Sequence, residues 1–393
     1  MSKSCDNVNK VSIVTNVSLH TFSGTNHEIG VQQGKAGRQQ ICEALEKIPN
    51  YDFVRLMKPR LLPTSLFMTL AKRRAERLLK DDVFEYYPKQ AQRLSGIAEG
   101  AGINLSTILF LQGMELLRGK PSYRLEACST LAFGPSRTTT EETIVGKNFD
   151  YLSVLEPYQL TCETRPKEGY ATLGCKMAPL AGMLDGMNEH GLTVTYNLAY
   201  TLDEPKCYAP LSMALQEMLD TCKNTDEAAK FIVQAKRGGH DAVLTLADAE
   251  GNIKTVEITS NHSATSDATG GQVINTNHYK SNEMQRHEIP RNAVYFGKGV
   301  RKEDIGARVY ESSEQRLKRA QELLKGREKV DESKIAAILR DHGEDNKPSF
   351  LTICRHDTDA STIRSVIFYP NRKSMKVLYG KPCQNQYDEF KFS

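Results

Sequence analysis

The segment Cys128-Ser129-Thr130-Leu131-Ala132-Phe133 is followed by a turn and by a second segment, Thr143-Ile144-Val145-Gly146-Lys147-Asn148-Phe149-Asp150. Both segments have the character of β-strands, and the turn between them predicts that they pair as a hairpin. The hairpin would bring the Cys128 thiol, the Lys147 ammonium and the Asp150 carboxylate onto neighbouring strands. These three groups are the first candidates for a catalytic site.

The composition is that of an ordinary globular protein. The 393-residue chain is long enough to bury a large core in one large domain or two smaller ones. Charged residues make up 25% and hydrophobic residues 39%, which argues against long disordered segments. The net charge of +4 is too small to predict binding to nucleic acid. The nine cysteines are scattered and form no C-x-x-C pair, so neither a disulfide framework nor a zinc ribbon is predicted.

The N-terminus and the hydropathy pattern predict a cytoplasmic protein. Residues 1–7 are polar and lack the apolar core of a secretory signal. No segment approaches the roughly 18 uninterrupted apolar residues that a membrane span requires. We therefore predict no membrane span.

Residues 1–127 are predicted to be mainly helical, whereas strands and helices interleave in residues 128–393. Glycines within residues 28–34 predict close helix packing, and further helices are predicted over residues 66–79 and from Pro88 to Gly100. Later helices are predicted within residues 210–237 and over residues 312–325 and 332–340, and strands over residues 180–187, 192–200, 242–248, 253–259, 350–356, 362–369 and 375–379. The regular β-α-β alternation of a parallel sheet is absent, which indicates an α+β fold.

Nearly the whole chain resembles the acyl-coenzyme A:6-aminopenicillanic acid acyltransferase family of N-terminal-nucleophile (Ntn) hydrolases, which is related to the choloylglycine (bile-salt) hydrolases and acid ceramidase. The resemblance rests first on the cysteine that opens a strand and on the Gly-Lys-Asn-Phe-Asp segment about twenty residues later. Further motifs follow in the same order as in the family: Glu28-Ile29-Gly30, residues 96–102, Asn188-Glu189-His190-Gly191-Leu192 with Asn197, Asn275-Thr276-Asn277-His278, Ser313-x-x-Arg316, Ile353-Cys354-Arg355-His356 and Gly380-Lys381-Pro382-Cys383.

The resemblance implies a four-layer αββα sandwich, in which two antiparallel sheets lie between helical layers. It also implies that the chain cuts itself between Ala127 and Cys128 into pieces of 127 and 266 residues. Residues 1–127 and 128–393 would stay associated as one structural domain. A thiol is mostly protonated at neutral pH and needs a base, and the freed α-amino group, with a reference pKa of about 7.7–8.0, would supply one.

The resemblance also assigns roles to individual residues. Asp150 would orient the amine or thiol of Cys128, and a cation, Lys147 or Arg316, would keep Asp150 ionised. Asn277 would donate a side-chain N–H to the oxyanion of the tetrahedral intermediate. The candidates for substrate contacts are Asn197, Phe149, Tyr196 and His278.

Simpler interpretations exist for the same residues taken singly. Asn277 would cap a turn, and Asp150 with Arg316 would form a structural ion pair. Cys354 and His356 would form a metal pair or a thiol–imidazole dyad, but the sequence offers no third and fourth ligand, so we predict no metal. The H-E-x-x-H and G-x-S-x-G motifs are absent, which removes the common metalloprotease and serine-esterase interpretations.

The first functional hypothesis is an amidohydrolase that cleaves a linear amide, an N-acyl amine or N-acyl amino acid, through a thioester on Cys128. The alternative is acyl-coenzyme A-dependent N-acyltransfer, with the thioester as co-substrate and with residues 72–77 as a basic cluster that would meet its phosphates. An uncleaved, non-catalytic Ntn-fold protein is the hypothesis from another class. No cofactor is predicted, and the expected partners are a small-molecule amide or acyl donor and the two cleaved pieces themselves. The sequence leaves the acyl group and the oligomeric state open.

Overall fold

A computed structural model describes residues 17–51, 54–55, 58–114, 116, 127–238, 241–297, 300, 302–326 and 328–393. The strands are β1 (Leu19–Gly24), β2 (Ser129–Phe133), β3 (Ile144–Leu152), β4 (Gln159–Pro166), β5 (Thr172–Met177), β6 (Asp185–Asn188), β7 (Thr193–Leu198), β8 (Ala242–Ala247), β9 (Ile253–Ile258), β10 (Ser263–Asp267), β11 (Gln272–Asn275), β12 (Ala360–Tyr369), β13 (Ser374–Tyr379) and β14 (Asp388–Lys391). The α-helices are α1 (Asn26–Ala36), α2 (Arg38–Lys47), α3 (Thr64–Tyr86), α4 (Pro88–Ala101), α5 (Leu105–Gln112), α6 (Leu211–Thr221), α7 (Thr225–Gln234), α8 (Asn282–Gln285), α9 (Glu311–Leu323) and α10 (Glu332–Leu339).

The strands form two facing sheets. One has eight strands in the order β1-β4-β5-β6-β7-β8-β9-β10, and the other has six in the order β11-β2-β3-β12-β13-β14. Helices α1, α6 and α7 pack on the larger sheet, and α9 and α10 pack on the smaller one. A buried cluster that includes Val145, Leu173, Met187, Val366 and Val377 fills the space between the sheets. The predicted four-layer arrangement is therefore confirmed.

One edge of the larger sheet departs from the predicted antiparallel pattern. Strand β1 pairs with β4 in parallel, with Leu19 opposite Thr161 and Gly24 opposite Pro166. Parallel neighbours need a long crossover connection. The helical segment and the β2–β3 hairpin provide it. The N-terminal segment is thus joined to the later strands by backbone pairing as well as by helix packing.

The glycines of α1 and α4 allow these two helices to touch, as predicted. A Cβ atom on Gly30 would lie 2.2 Å from the Arg93 carbonyl oxygen, and one on Gly96 would lie 2.2 Å from the His27 carbonyl oxygen. Side chains cannot be accommodated against backbone at that distance. The same core continues from these helices, through residues such as Ile29, into Leu160 of β4. The division at residue 127 stays a prediction.

Most later elements lie where they were predicted, with two corrections. Residues 350–356 do not form a strand but a loop of turns and bends. The Thr352 hydroxyl oxygen lies 2.8 Å from the Ser349 carbonyl oxygen and 2.7 Å from the Cys354 carbonyl oxygen, so its one hydrogen bonds within the loop; such local bonds compete with strand pairing. Residues 180–187 were predicted as one strand, but only the end of that range belongs to β6.

In the described part of the chain no single helix has both the length and the apolar composition needed to cross a membrane. Helices α4 and α5, which meet at 119°, satisfy that test only as a bent pair.

Candidate active site

Cys128 lies immediately before β2, which is paired between β11 and β3 in the smaller sheet. It is 1% exposed, and Ser129 and Thr130 after it pair with Asn148 and Lys147 of β3. Burial raises the pKa of the Cys128 thiol to about 12, and the nearby Lys147 only partly offsets this effect. In the uncut chain the thiol is therefore protonated, and it needs a base before it can act as a nucleophile.

Asp150 lies near Cys128, at the far end of β3. Its Oδ1 accepts a hydrogen bond from the Thr362 hydroxyl at 2.6 Å, whereas its Oδ2 is buried and has no hydrogen-bond partner among the described residues. Burial raises the pKa of Asp150 to about 6, against the opposing effect of Arg316 and Arg355. The carboxylate thus has one oxygen fixed and one available to a further donor.

Arg316 connects Cys128 to Asn277. It projects from α9, whose first turn carries Glu311 and Glu314, a charge pattern that favours a helix N-terminus. Its Nη1 donates to the Cys128 carbonyl at 2.5 Å and its Nη2 to Asn277 Oδ1 at 3.0 Å. This cation is 1% exposed. The structure therefore joins Cys128, Arg316 and Asn277 by hydrogen bonds, and Asp150 lies close enough for the charge of Arg316 to lower its pKa. The catalytic roles of these residues stay predictions.

The amide of Asn277 is oriented by its bonds. Because Oδ1 accepts from Arg316, the Nδ2 end points the other way, and it donates to the Leu198 carbonyl at 2.8 Å. An amide nitrogen carries two donor hydrogens, and one bond to Leu198 uses one of them. The second N–H remains for a ligand, and Asn277 lines the crevice described below.

Lys147 contacts a different carboxylate from the one predicted. Its ammonium donates to Asp185 Oδ1 at 2.5 Å and to the Tyr196 carbonyl, and Arg364 donates to Asp185 Oδ2 at 2.6 Å. Lys147, Asp185 and Arg364 are all 0% exposed. Burial would raise the pKa of Asp185, but the two cations outweigh it and hold that pKa below its ordinary value. Of the two cations predicted beside Asp150, Arg316 is the one that is hydrogen-bonded to Cys128 and Asn277.

We predict that Asp185→Asn lowers the free energy of unfolding by about 3–5 kcal/mol, because it leaves two cations buried without their counter-ion. Urea denaturation at pH 7 measures the change. The pKa of Asp185 is lower in the folded protein than its ordinary value of 3.8. The contribution of its charge to stability is therefore fully present above pH 3.8 and is lost as the pH falls through the lower, folded pKa. The gap between wild type and variant should therefore narrow in acid. Asp226→Asn is the control, since the Asp226 side chain is 82% exposed; an equal loss there would contradict the prediction.

The four residues proposed for substrate contacts occupy different surroundings. The ring of Phe149 packs against the guanidinium of Arg364 at 4.5 Å, and that of Tyr196 lies 5.7 Å from the Lys147 ammonium. Asn197 accepts a bond from Thr130 at 2.7 Å and donates to the Asn275 carbonyl, so its side chain joins β7 to β2 and β11. These contacts give Phe149, Tyr196 and Asn197 structural roles. Their part in substrate binding stays a prediction.

His278 is held beside the cluster through Ser313. Its Nδ1 lies 2.7 Å from the Ser313 hydroxyl oxygen, which also accepts from the Asn277 backbone N–H at 2.7 Å. Burial and the positive charges of Arg291 and Arg316 lower the pKa of His278 to about 3. The ring is therefore neutral at pH 7. It orients the Asn277 segment through Ser313.

A crevice opens from this cluster. Its wall includes Ala127, directly before the predicted cleavage point, together with Arg316 and Asn277. The remaining lining residues are mostly aromatic or polar: Tyr200, Tyr295, Arg308, Val309, Tyr310, Ser312, Ser313, Phe350 and Arg355. Cys128 itself is not among the lining residues, although Ala127 directly before it is.

Sequence reasoning missed several residues of this site. Thr362 and Arg364 lie on β12 at a register shift, which leaves Thr362 opposite Asp150 and Arg364 opposite Phe149. Such bulges redirect side chains near active sites. Asp185 and Arg355 were also missed. Asp185, Arg355 and Arg364 are charged residues within buried strands and loops, and a buried charge needs a partner. That charge was the available signal.

The two facing sheets between helical layers, with a buried cysteine at the start of a strand, define the Ntn-hydrolase class of fold. Residues 137–384 match the model of the family described as acyl-coenzyme A:6-aminopenicillanic acid acyl-transferase. The match spans more than half of the chain, so the protein belongs to this family of Ntn-hydrolase enzymes. The matched range begins after Cys128. No curated protein is significantly similar to the chain in sequence.

Similar solved structures are distant. The N-acylethanolamine-hydrolyzing acid amidase ortholog of Caenorhabditis elegans is 15% identical, with a TM-score of 0.43 over 62% of this chain and 93% of that one. A mutant of the conjugated bile acid hydrolase of Clostridium perfringens is 14% identical, with a TM-score of 0.42 over 68% and 97%. Penicillin V acylase of Agrobacterium tumefaciens is 12% identical, with a TM-score of 0.40 over 64% and 83%. The family assignment rests on the sequence match and does not depend on these likenesses.

Proposed function

We propose that the protein is an autoprocessed N-terminal-cysteine amidohydrolase, which cleaves a linear amide through a thioester on Cys128. The observation that carries this proposal is the pairing of a buried thiol at the start of β2 with a neighbouring carboxylate, Asp150, whose Oδ2 lacks a hydrogen-bond partner. An α-amino group created at Cys128 would be a suitable donor to that oxygen. No described histidine is hydrogen-bonded to Cys128 to act as its base.

The proposed maturation cuts the Ala127–Cys128 bond. The Cys128 sulfur attacks the Ala127 carbonyl carbon, and the thiol proton passes to the departing Cys128 nitrogen. The carbon–nitrogen bond breaks, and a thioester joins Ala127 to the sulfur. Water then hydrolyses the thioester, which leaves a carboxylate on Ala127 and a free amine on Cys128. Arg316, which binds the Cys128 carbonyl, would hold this residue in place before and after the cut. The residues immediately before Ala127 lie outside the described part of the chain.

The proposed turnover uses the freed amine as general base. The amine takes the thiol proton while the sulfur attacks the substrate carbonyl, and it returns the proton to the departing amine. The acyl group is then on sulfur as a thioester, and water releases it as the free acid by the reverse sequence of proton transfers. Asp150 orients the amine, and the free N–H of Asn277 donates to the oxyanion of each tetrahedral intermediate.

Acid-quench mass spectrometry tests this reaction. Purified, cleaved protein is mixed with a panel of N-acyl amines and N-acyl amino acids that differ in acyl chain. We expect a productive substrate to add the mass of its acyl group to the piece that begins at Cys128, with the modification on Cys128 itself. An acyl group found on another residue, or amide hydrolysis by the uncut chain at the wild-type rate, would contradict the mechanism.

The second candidate is acyltransfer, which the family's description favours. Both reactions share the thioester and differ in what attacks it. If the protein is a hydrolase, adding an amine acceptor should leave free acid as the main product. Diversion of most of the product to a new amide, or a requirement for acyl-coenzyme A as donor, would favour transfer. The basic cluster at residues 72–77 lies on α3, and none of its residues lines the crevice.

A further inference from the structure

Four potential metal ligands converge at the end of the smaller sheet. They are His342, Cys354, His356 and Cys383, and one ligand atom from each lies within 4.8 Å of the others. His342 follows α10, Cys354 and His356 lie in the loop before β12, and Cys383 lies in the turn after β13. Three separate segments of the chain thus supply two thiols and two imidazoles to one point.

The distances match those between the ligands of a tetrahedral zinc ion. The Nε2 of His356 lies 3.5 Å from Cys354 Sγ and 3.3 Å from Cys383 Sγ. Bonds of about 2.3 Å to sulfur and 2.0–2.1 Å to nitrogen, set at a tetrahedral angle, place neighbouring sulfur and nitrogen ligands about 3.6 Å apart. One imidazole nitrogen in contact with two thiols is a poor hydrogen-bonding arrangement, whereas a shared cation satisfies all three atoms.

His342 is oriented as a ligand. Its Nδ1 lies 3.3 Å from Asn346 Oδ1, a contact that a neutral ring makes by donating the Nδ1 hydrogen. The Nε2 lone pair is then free, and this atom is buried without a hydrogen-bond partner among the described residues. Histidines that bind metals typically use one nitrogen for the metal and donate from the other to an oxygen.

Hydrogen bonds outside the four ligands hold the three segments beside one another. The Cys354 N–H donates to the Asp341 carbonyl at 3.1 Å, next to His342. The Arg340 side chain donates to the Pro382 carbonyl at 2.9 Å, next to Cys383. The Asp341 carboxylate is itself held by Arg319 through two bonds of 3.0 Å. The ligand positions are therefore set by bonds outside the cluster.

We propose that His342, Cys354, His356 and Cys383 form a structural zinc(II) site. Two thiolates and two imidazoles are the ligand set that favours zinc, and four protein ligands leave no open position for catalysis. The site would tie the C-terminal turn to the loop that carries Arg355, a residue of the crevice wall. This replaces our sequence-based prediction of no metal, because the fold supplies the third and fourth ligands.

Metal analysis of the full-length protein tests the proposal. The protein is purified under reducing conditions, exposed to zinc chloride and dialysed against metal-free buffer. We expect about one zinc per chain, and less than about a tenth of that in Cys383→Ser, which loses one of four ligands. Cys222→Ser, a buried cysteine outside the cluster, should keep its zinc. Absence of zinc from the wild type, or full retention in Cys383→Ser, would overturn the proposal.

Cobalt(II) provides a readout that does not depend on variants that fold poorly. Wild-type protein loaded with cobalt should show thiolate-to-cobalt charge transfer and the intense visible bands of tetrahedral coordination, and zinc should displace them. Spectra typical of octahedral cobalt would contradict the site. Peptide mapping under non-reducing conditions addresses the competing use of the two thiols: a Cys354–Cys383 disulfide in protein purified with zinc present would also overturn the proposal.

Discussion

Cys128→Ala should remain a single 393-residue chain with no measurable amide hydrolysis, whereas the wild type should resolve into pieces of 127 and 266 residues. The variant lacks the sulfur that attacks the Ala127 carbonyl, so neither the cut nor the thioester can form. Intact-mass measurement distinguishes the two proteins, and N-terminal sequencing of the larger wild-type piece should begin Cys-Ser-Thr. The variant should fold, since alanine is small and the thiol is one of many buried groups.

A matched control is Cys175→Ala. Cys175 is a completely buried cysteine on β5, and its pKa is raised by burial, as that of Cys128 is. Its replacement removes a similar volume from the core without touching Cys128, so it should leave both cleavage and activity intact. Wild-type protein that is fully active while uncut would show that the base is a side chain, and the role given to the α-amine would be wrong.

The parts of the fold that the sequence could predict are those set by local pattern. The β2–β3 hairpin and the turn at residues 188–191 both depend on neighbouring residues, and Gly191 in that turn has a positive φ of 87°, which glycine adopts readily. The parallel pairing of β1 with β4 joins residues far apart in the chain, and no local pattern encodes it. Strand β10 has a single small apolar residue, Ala264, among polar ones, so it carries no hydrophobic alternation to reveal it.

The residues of the site likewise separate into those that a local motif could predict and those whose contacts depend on distant parts of the chain. Cys128, Asp150, Asn277 and Arg316 could be proposed because the resemblance carried each one by its motif, and their roles stay predictions. The partner of Lys147 could not be assigned, because Asp185 lies on the opposite sheet and its position depends on how the two sheets face each other. His342 and Cys383 were missed as ligands for a similar reason: neither is close in sequence to Cys354.

The structure sharpens the prediction for Asn277, whose side chain is bonded at both ends. In cleaved protein, Asn277→Ala should reduce kcat by about 10²–10³, equivalent to roughly 2.7–4 kcal/mol, with little change in KM. The physical reason is that the free N–H donates to charge that develops only in the transition state. Steady-state kinetics on the fraction shown to be cleaved measures the effect, since cleavage passes through a similar intermediate.

Loss of the Arg316 anchor is the competing explanation, because Asn277 Oδ1 also accepts from that guanidinium. Asn277→Asp separates the two effects: it keeps an acceptor for Arg316 and removes the amide donor. If the donor matters, the aspartate variant should be at least as impaired in kcat as the alanine variant. If the anchor is what matters, the aspartate variant should recover most of the activity. A cleaved, folded Asn277→Ala protein with nearly wild-type kcat would leave backbone N–H groups as the donors to the oxyanion.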